Sequence, residues 1–122
     1  MALSNLSEIR LATCHHDLQR VVRLAAERMH IAVLCGHRGE ADQEAAYKAG
    51  NSPLRYPHSL HNQKPSRAID CCPLPVDFLN HAAFKAMGAV LEQAAADLGV
   101  SVRWGGRFKR QDLPHLELAP DA

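Results

Sequence analysis

The sequence has little of what marks a membrane-spanning, fibrous or nucleic-acid-binding protein. Aromatic residues make up only 5% of its 122 residues, and its longest apolar runs fall far short of the roughly 20 residues that cross a bilayer. Neither sign of charge dominates, because 14 Lys and Arg residues stand against 13 Asp and Glu residues. A dedicated nucleic-acid-binding protein usually carries a strong basic excess. We therefore expect neither a stable membrane insertion nor a nucleic-acid partner.

The cysteines lack the spacing of a disulfide framework or a zinc ribbon. The sequence has four of them, Cys14, Cys35, Cys71 and Cys72. No two form a Cys-x-x-Cys pair, and adjacent cysteines cannot easily bond to each other. The first ten residues also lack a basic segment followed by an apolar one, so no secretory signal is predicted. We expect a protein of the producing cell's cytoplasm with free, mostly buried thiols.

What is present is an ordinary globular composition, with 47% apolar and 22% charged residues. The length fits one domain that spans residues 1–122, and we expect it to be a monomer. The apolar spacing predicts helices over 7–13, 18–29, 40–49 and 78–98, and strands over 31–34, 68–72, 100–104 and 116–118. Asp17 is the predicted N-cap of the second helix, and Gly50 and Gly99 are predicted helix stops. The pattern indicates an α+β fold with a small antiparallel sheet and helices packed on one face.

Histidine is the residue in excess, with eight copies, and it is the commonest metal ligand. Four of them lie on or beside predicted helices, where surface or helix-end positions are expected: His15, His16, His30 and His81. The others lie in loops or at strand ends, where functional sites are usually built: His37, His58, His61 and His115.

The first candidate site lies where the polar loop over 51–65 leads into the predicted strand 68–72. His61 lies in the loop and Asp70 lies inside the strand. A carboxylate within an apolar strand is costly to bury unless it is paired or bound to a cation. A zinc ion would remove that cost, because histidine nitrogen and aspartate oxygen are both normal zinc ligands.

A second pattern follows the Trp104-Gly105-Gly106 turn. Asp112 and His115 are three residues apart across a proline-containing turn, and Glu117 shares a strand face with His115. A catalytic zinc site needs three protein ligands, one open position and a nearby carboxylate base. His61, Asp70 and His115 would supply the ligands, and Asp112 or Glu117 the base. Taken alone, this segment also fits a capped turn with a solvated aspartate.

A third feature is Arg38, which follows the predicted strand 31–34. An arginine at this place can bind a substrate carboxylate or polarise a carbonyl near a metal. Taken alone, it also fits a solvated surface side chain.

Together these motifs resemble the D-alanyl-D-alanine carboxypeptidase family of zinc peptidases, which shares its fold with the hedgehog signalling domain. The order is Gly-x-Arg-x4-Gln, Ser-x-His, Asp after Pro-Ser-x-Ala, Trp-Gly-Gly and Asp-x-Pro-His, over residues 31–118. Within the family, the sequence is similar to the small phage endolysins that are L-alanyl-D-glutamate endopeptidases.

The resemblance implies a zinc ion bound by His61, Asp70 and His115. It implies that Asp112 is the acid/base carboxylate and that Arg38 steadies the substrate. The remaining matched positions imply residues that shape or support the site: Gln43, Ser59, Trp104 and Glu117. For Glu117, the resemblance favours a hydrogen bond to a metal ligand over the role of base.

The implied activity is hydrolysis of the peptidoglycan stem peptide at the L-Ala–D-Glu bond, during lysis of a bacterial host. The enzyme would then reach the wall from the cytoplasm after the membrane is breached. Two alternatives stay open: a D,D-carboxypeptidase or dipeptidase acting on D-Ala-D-Ala ends, and a non-catalytic zinc module that binds cell wall or a protein. One departure bears on the substrate, because many members have the shorter form His-x-x-Gly-x-Ala-x-Asp, whereas here Pro65 and Ser66 replace the glycine.

Overall fold

The structure is a computed structural model that describes residues 2–120. Its elements follow one another along the chain as α1 (Asn5–Leu11), α2 (His16–Arg28), β1 (Ile31–Cys35), α3 (Glu40–Lys48), β2 (Ala68–Pro73), α4 (His81–Leu98), β3 (Val102–Trp104) and β4 (His115–Leu118), with short 3-10 helices at Leu60–Asn62 and Gly105–Arg107. This confirms the predicted α+β class. No helix of the described residues is both long and apolar enough to cross a membrane.

The four strands form one antiparallel sheet in the order β1-β2-β4-β3. The register of the two central strands sets Asp70 opposite His115 and Ile69 opposite Leu116. Because successive side chains of a strand point to opposite faces, these two pairs lie on opposite faces of the sheet. One face is therefore apolar, and the other carries the candidate site.

The apolar face is covered by α2 and α4, and the buried residues there form the hydrophobic core. The largest fully buried side chains include Leu18 of α2, Phe84 and Leu91 of α4, and Ile69 and Leu116 of the sheet. Burying one such side chain stabilises the fold by about 1.5–3 kcal/mol. This face follows the predicted packing of helices on one side.

Helices α1 and α3 do not belong to the layer that covers the apolar face. Helix α1 runs along the free edge of β1, where the Ser7 hydroxyl accepts from the Val33 amide at 2.9 Å and Arg10 donates to the Val33 carbonyl at 3.0 Å. These bonds pair backbone groups that an edge strand would leave open. Helix α3 has one buried residue, Gln43, whose amide oxygen accepts a hydrogen bond from Arg38.

Several predicted boundaries need correction, because the capping groups differ from those expected. Helix α2 begins at His16, and the ring of His15 caps it by accepting from the Asp17 amide, so Asp17 is not the N-cap. Helix α4 begins three residues later than predicted, because Asn80 accepts from the Ala83 amide. Its predicted end is confirmed: Gly99 has a φ of 71°, a left-handed conformation that favours glycine.

Candidate metal centre

The polar face of the sheet brings the three predicted metal ligands together at Asp70. Its Oδ1 atom lies 3.3 Å from His61 Nε2 and 3.3 Å from His115 Nδ1. Asp70 and His115 come from neighbouring strands, and His61 comes from the 3-10 helix before β2. All three residues line one cleft with Arg38 and Asp112.

Two of the three atoms that meet at this point have no hydrogen-bond partner. Among the described residues, only two buried side-chain nitrogen or oxygen atoms lack one, His61 Nε2 and Asp70 Oδ1. A buried unpaired polar atom costs about 1–3 kcal/mol, so two of them facing each other indicate a group that belongs between them. The donor set of two imidazoles and one carboxylate suits zinc. The residues present therefore fit the implied metal.

Hydrogen bonds on the far side of each imidazole set which nitrogen is free. His61 Nδ1 donates to the Gly36 carbonyl at 2.8 Å, so Nε2 is the nitrogen that faces Asp70 and would offer its lone pair to a metal. His115 Nε2 donates to Glu117 Oε1 at 2.8 Å, which leaves Nδ1 facing Asp70. Such outer bonds fix the tautomer and raise the basicity of metal-ligating histidines.

Glu117 is held in turn by Arg103 on the neighbouring strand. The two residues are cross-strand partners, and both Arg103 Nε and Nη2 donate to Glu117 Oε2. A chain of contacts therefore runs from Arg103 through Glu117 and His115 to Asp70. This geometry fits Glu117 as a support of a ligand, and it shows that sequence reasoning missed Arg103. The alternation of strand 102–104 opposite 115–118 is the signal that could have found it.

The charges of this cluster compensate one another when no metal is bound. Burial opposes ionisation of Asp70, but the two histidine rings at 3.3 Å hold the pKa of its carboxyl well below its usual range. Burial also lowers the histidine pKa values, but Asp70 outweighs it and raises the pKa of His61 to about 10 and that of His115 to about 9. The metal-free site therefore carries protons on both rings, where a cation would replace them.

Asp112 lies at the mouth of the site and differs from Asp70. Its side chain is 47% exposed, and its Oδ2 atom lies 3.9 Å from His115 Nδ1. Partial burial and repulsion by Asp70 raise the pKa of its carboxyl. A carboxylate beside the ligands but without a hydrogen bond to them can accept and release a proton there.

The turn before Asp112 fixes its position. A Cβ atom at Gly105 would lie 2.1 Å from the Asp112 carbonyl oxygen, so only glycine allows this close approach. The Asp112 amide donates to the Gly105 carbonyl at 2.9 Å. Trp104 donates from its indole nitrogen to the Leu113 carbonyl at 2.9 Å, which ties the same segment to β3. Trp104 therefore supports the site through the backbone of this turn.

Arg38 and its neighbours form the opposite wall of the cleft. Arg38 donates to Asp70 Oδ2 at 3.4 Å and to Gln43 Oε1 at 3.0 Å. Gln43 is fully buried and donates to the Leu54 carbonyl at 2.7 Å, so it ties α3 to the loop before the predicted ligand His61. Ser59 caps the 3-10 helix by accepting from the His61 amide at 3.2 Å. The structure thus brings the predicted supporting residues together with the predicted ligands.

Sequence reasoning also missed Cys35. Potential ligand atoms form two groups, and within each group they all lie within 4.8 Å of one another. One group is Cys35, His61 and Asp70, and the other is Asp70, Asp112 and His115. Burial raises the pKa of the Cys35 thiol, but His61 and Arg38 outweigh burial and lower it. The other three cysteines are free and buried, as expected. The position of Cys35 between a strand and the Gly-x-Arg motif is the signal that could have drawn attention to it.

Comparisons with known proteins agree with this arrangement. The family described as phage L-alanyl-D-glutamate peptidase matches residues 1–119. Among solved structures, the L-Ala D-Glu endopeptidase ChiX of Serratia marcescens is similar, with a TM-score of 0.83 and 30% sequence identity. The match covers 97% of this chain and 90% of that one. No curated protein sequence gives a significant match.

Proposed function

The chain belongs to the family of phage L-alanyl-D-glutamate peptidases, and we propose that it cuts the peptidoglycan stem peptide at a zinc ion held by His61, Asp70 and His115. The two buried, unpaired atoms His61 Nε2 and Asp70 Oδ1 carry this proposal. The bond we assign is the one between L-Ala and D-Glu, the bond cut by the similar Serratia endopeptidase. We further propose that the protein works as a monomer in lysis of a bacterial host by a phage.

Zinc bound there would polarise the scissile carbonyl and make a water molecule a stronger nucleophile. The protein's part is to hold three neutral or anionic donor atoms at one point and to leave a side open to the cleft. His61 and Asp70 are fixed by their bonds to Gly36 and Arg38, and His115 by its bond to Glu117.

Asp112 is the residue we assign to proton transfer. Its exposed carboxylate lies beside His115 and faces the cleft that the substrate would enter. It would take a proton from the attacking water at Oδ2 and pass that proton to the nitrogen of the leaving amine. A raised pKa suits this task, because the carboxyl must both accept and release a proton in one cycle.

Arg38 is the residue we assign to the substrate. Its guanidinium lines the cleft and lies against the metal-facing carboxylate of Asp70. There it would orient the scissile carbonyl and stabilise the negative charge that develops on its oxygen. Its bond to buried Gln43 removes the freedom that a surface arginine would have.

Digestion of purified peptidoglycan, followed by mass spectrometry of the products, tests the function. We expect about one zinc per chain by elemental analysis, and products with L-Ala at a new carboxyl end and D-Glu at a new amino end. Loss of terminal D-Ala alone would contradict the proposed bond and indicate a D,D-carboxypeptidase. A zinc-loaded protein without any turnover would contradict catalysis and indicate a zinc module that binds cell wall or a protein.

A further inference from the structure

Cys35 lies at the metal site because β1 contains an irregularity. Val33 is opposite Cys71 on β2, and a regular antiparallel ladder would then set Leu34 opposite Asp70. Instead the register shifts between Val33 and Cys35, and Cys35 is opposite Asp70. Opposed residues share a face of the sheet, so the bulge turns this thiol from the core face to the polar face.

The bulged thiol lies beside His61, whose Nε2 atom lacks a hydrogen-bond partner. Cys35 Sγ is within 4.8 Å of ligand atoms of both His61 and Asp70. His61 is only 2% exposed, and its Nε2 atom has no hydrogen bond. The thiol donates a hydrogen bond to the Gly36 carbonyl at 3.5 Å. The same carbonyl accepts a hydrogen bond from His61 Nδ1 at 2.8 Å, so it keeps a donor when the sulfur binds a metal.

We propose that Cys35 is a fourth protein ligand of the metal in the substrate-free enzyme. Zinc bonds of about 2.3 Å to sulfur and about 2.0 Å to nitrogen, at a tetrahedral angle, separate the two donor atoms by about 3.5 Å. The ligand atoms of Cys35, His61 and Asp70 all lie within 4.8 Å of one another, so side-chain shifts of no more than about 1.3 Å bring sulfur and nitrogen to that separation. The inference rests on the metal site of the proposed function and adds a ligand to it.

The coordination step balances through one proton. The thiol S–H bond breaks, its proton passes to solvent, and the sulfur lone pair forms the bond to the metal. When a water molecule or the substrate takes the position of sulfur, the thiolate takes up a proton from solvent again. Cys35 would thus complete the protein coordination of the metal until a water molecule or the substrate displaces the sulfur.

Cobalt substitution tests directly for a bond between the metal and the Cys35 sulfur, without any measurement of activity. The metal-free protein is prepared with a chelator, loaded with Co²⁺ and examined by absorption spectroscopy in the absence of substrate. A cobalt–thiolate bond gives a charge-transfer band in the near ultraviolet that nitrogen and oxygen ligands do not give. We expect this band in the wild-type protein and its loss in both Cys35→Ser and Cys35→Ala, each of which still binds one equivalent of Co²⁺.

Cys72→Ala is the matched control, because Cys72 lies on β2 two residues beyond Asp70 and is fully buried. This variant should keep the band. If the wild-type protein binds Co²⁺ without the band, or if Cys35→Ala keeps the band, Cys35 is not a ligand, and the proposed function still stands. If the wild-type protein binds no Co²⁺ at all, both the metal site and the ligand are overturned.

Alkylation of the wild-type protein gives a second test that needs no variant. Only the thiolate reacts readily, and a metal-bound thiolate is shielded, so zinc should slow iodoacetamide labelling of Cys35 by about tenfold or more. Peptide mass spectrometry distinguishes this residue from the three buried cysteines. Equal labelling rates with and without zinc, in protein shown to hold the metal, would overturn the proposal.

Discussion

The two faces of the central sheet are built from alternating residues of the same strands, yet they have opposite physical character. On one face, Ile69 and Leu116 oppose each other and are fully buried under the helices. On the other face, one residue along each strand, Asp70 and His115 oppose each other beside a cleft. The apolar face is stabilised by packing of the chain's own side chains. The polar face has buried charges that are compensated only when protons or a metal are bound.

This difference indicates that one face of the sheet stabilises the fold and the other face carries the candidate site. Burial of apolar surface stabilises the protein whatever the metal content, because it depends only on area removed from water. The polar face has buried charges and two unpaired atoms, which the proposed metal would compensate. Substitutions on the two faces should therefore separate stability from metal binding and activity.

The largest expected effect is the replacement of His115 by alanine. This change removes one of the proposed ligands, so we expect loss of stoichiometric zinc and of activity on peptidoglycan, while the helical circular dichroism spectrum is kept. Chelation should lower the melting temperature of the wild-type protein but not that of the variant, because ligand binding to the folded state adds stability. His16→Ala, at an exposed position of α2, is the control. A variant that retains one zinc per chain would contradict the assigned ligand.

Asp112→Asn should separate chemistry from metal binding on the polar face itself. The amide cannot accept a proton, so we expect kcat to fall by about 10²- to 10⁴-fold with zinc content unchanged. Steady-state kinetics on muropeptides measures kcat, and elemental analysis measures the zinc content. Asp42→Asn, an exposed carboxylate in the first turn of α3, should leave both unchanged. Full activity of Asp112→Asn would remove this residue from proton transfer.

Leu116→Ala is the counterpart on the apolar face, next to His115 in the same strand. The side chain is fully buried, so its truncation leaves a cavity and should cost about 2–5 kcal/mol of unfolding free energy. Denaturant unfolding with and without a chelator measures this cost, which should be nearly the same in both conditions. The folded fraction should still bind one zinc per chain. Loss of zinc with little loss of stability would show that the two faces are not independent.

A smaller effect is expected from the contact that supports His115. Glu117→Ala removes the acceptor of the His115 Nε2 proton, so we expect zinc affinity to fall by about 10- to 100-fold. Competition with a fluorescent zinc chelator measures the affinity. Glu92→Ala is the control, because Glu92 forms a carboxylate–arginine pair with Arg107 on the surface, away from the ligands. Equal affinities of the two variants would contradict the supporting role.

The smallest effect is a dependence of metal-free stability on pH. The folded pKa values of His61 and His115 are raised from 6.5 to about 10 and about 9, so their contribution is complete below pH 6.5 and is lost as pH rises through 9 and 10. The pKa of Asp70 is lowered from 3.8, so its contribution is lost as pH falls below that value. Zinc replaces the ring protons, so the zinc-induced rise in melting temperature should grow between pH 6 and 9. A rise that does not change with pH would contradict this charge balance.

The local patterns of the sequence were sufficient for the element types. Helical spacing over 18–29 and 78–98 places both core helices, and alternation in the short strands separates Ile69 and Leu116 from Asp70 and His115. Boundaries were less predictable, because an N-cap depends on which side chain reaches the first free amides. The ring of His15 does so for α2, and a histidine is an uncommon cap.

The sequence by itself determined the α+β class, the two-faced strands and, through motif resemblance, the residues that meet at the site. These features depend on neighbours within a few positions or on motifs in a given order. Only the tertiary structure decided that a bulge sets Cys35 opposite Asp70 and that Arg103 holds Glu117. It also decided that Gln43 connects α3 to the loop before His61. Strand register and contacts between loops join residues far apart in the chain, and they are selected by the packing of the whole core rather than by any local pattern.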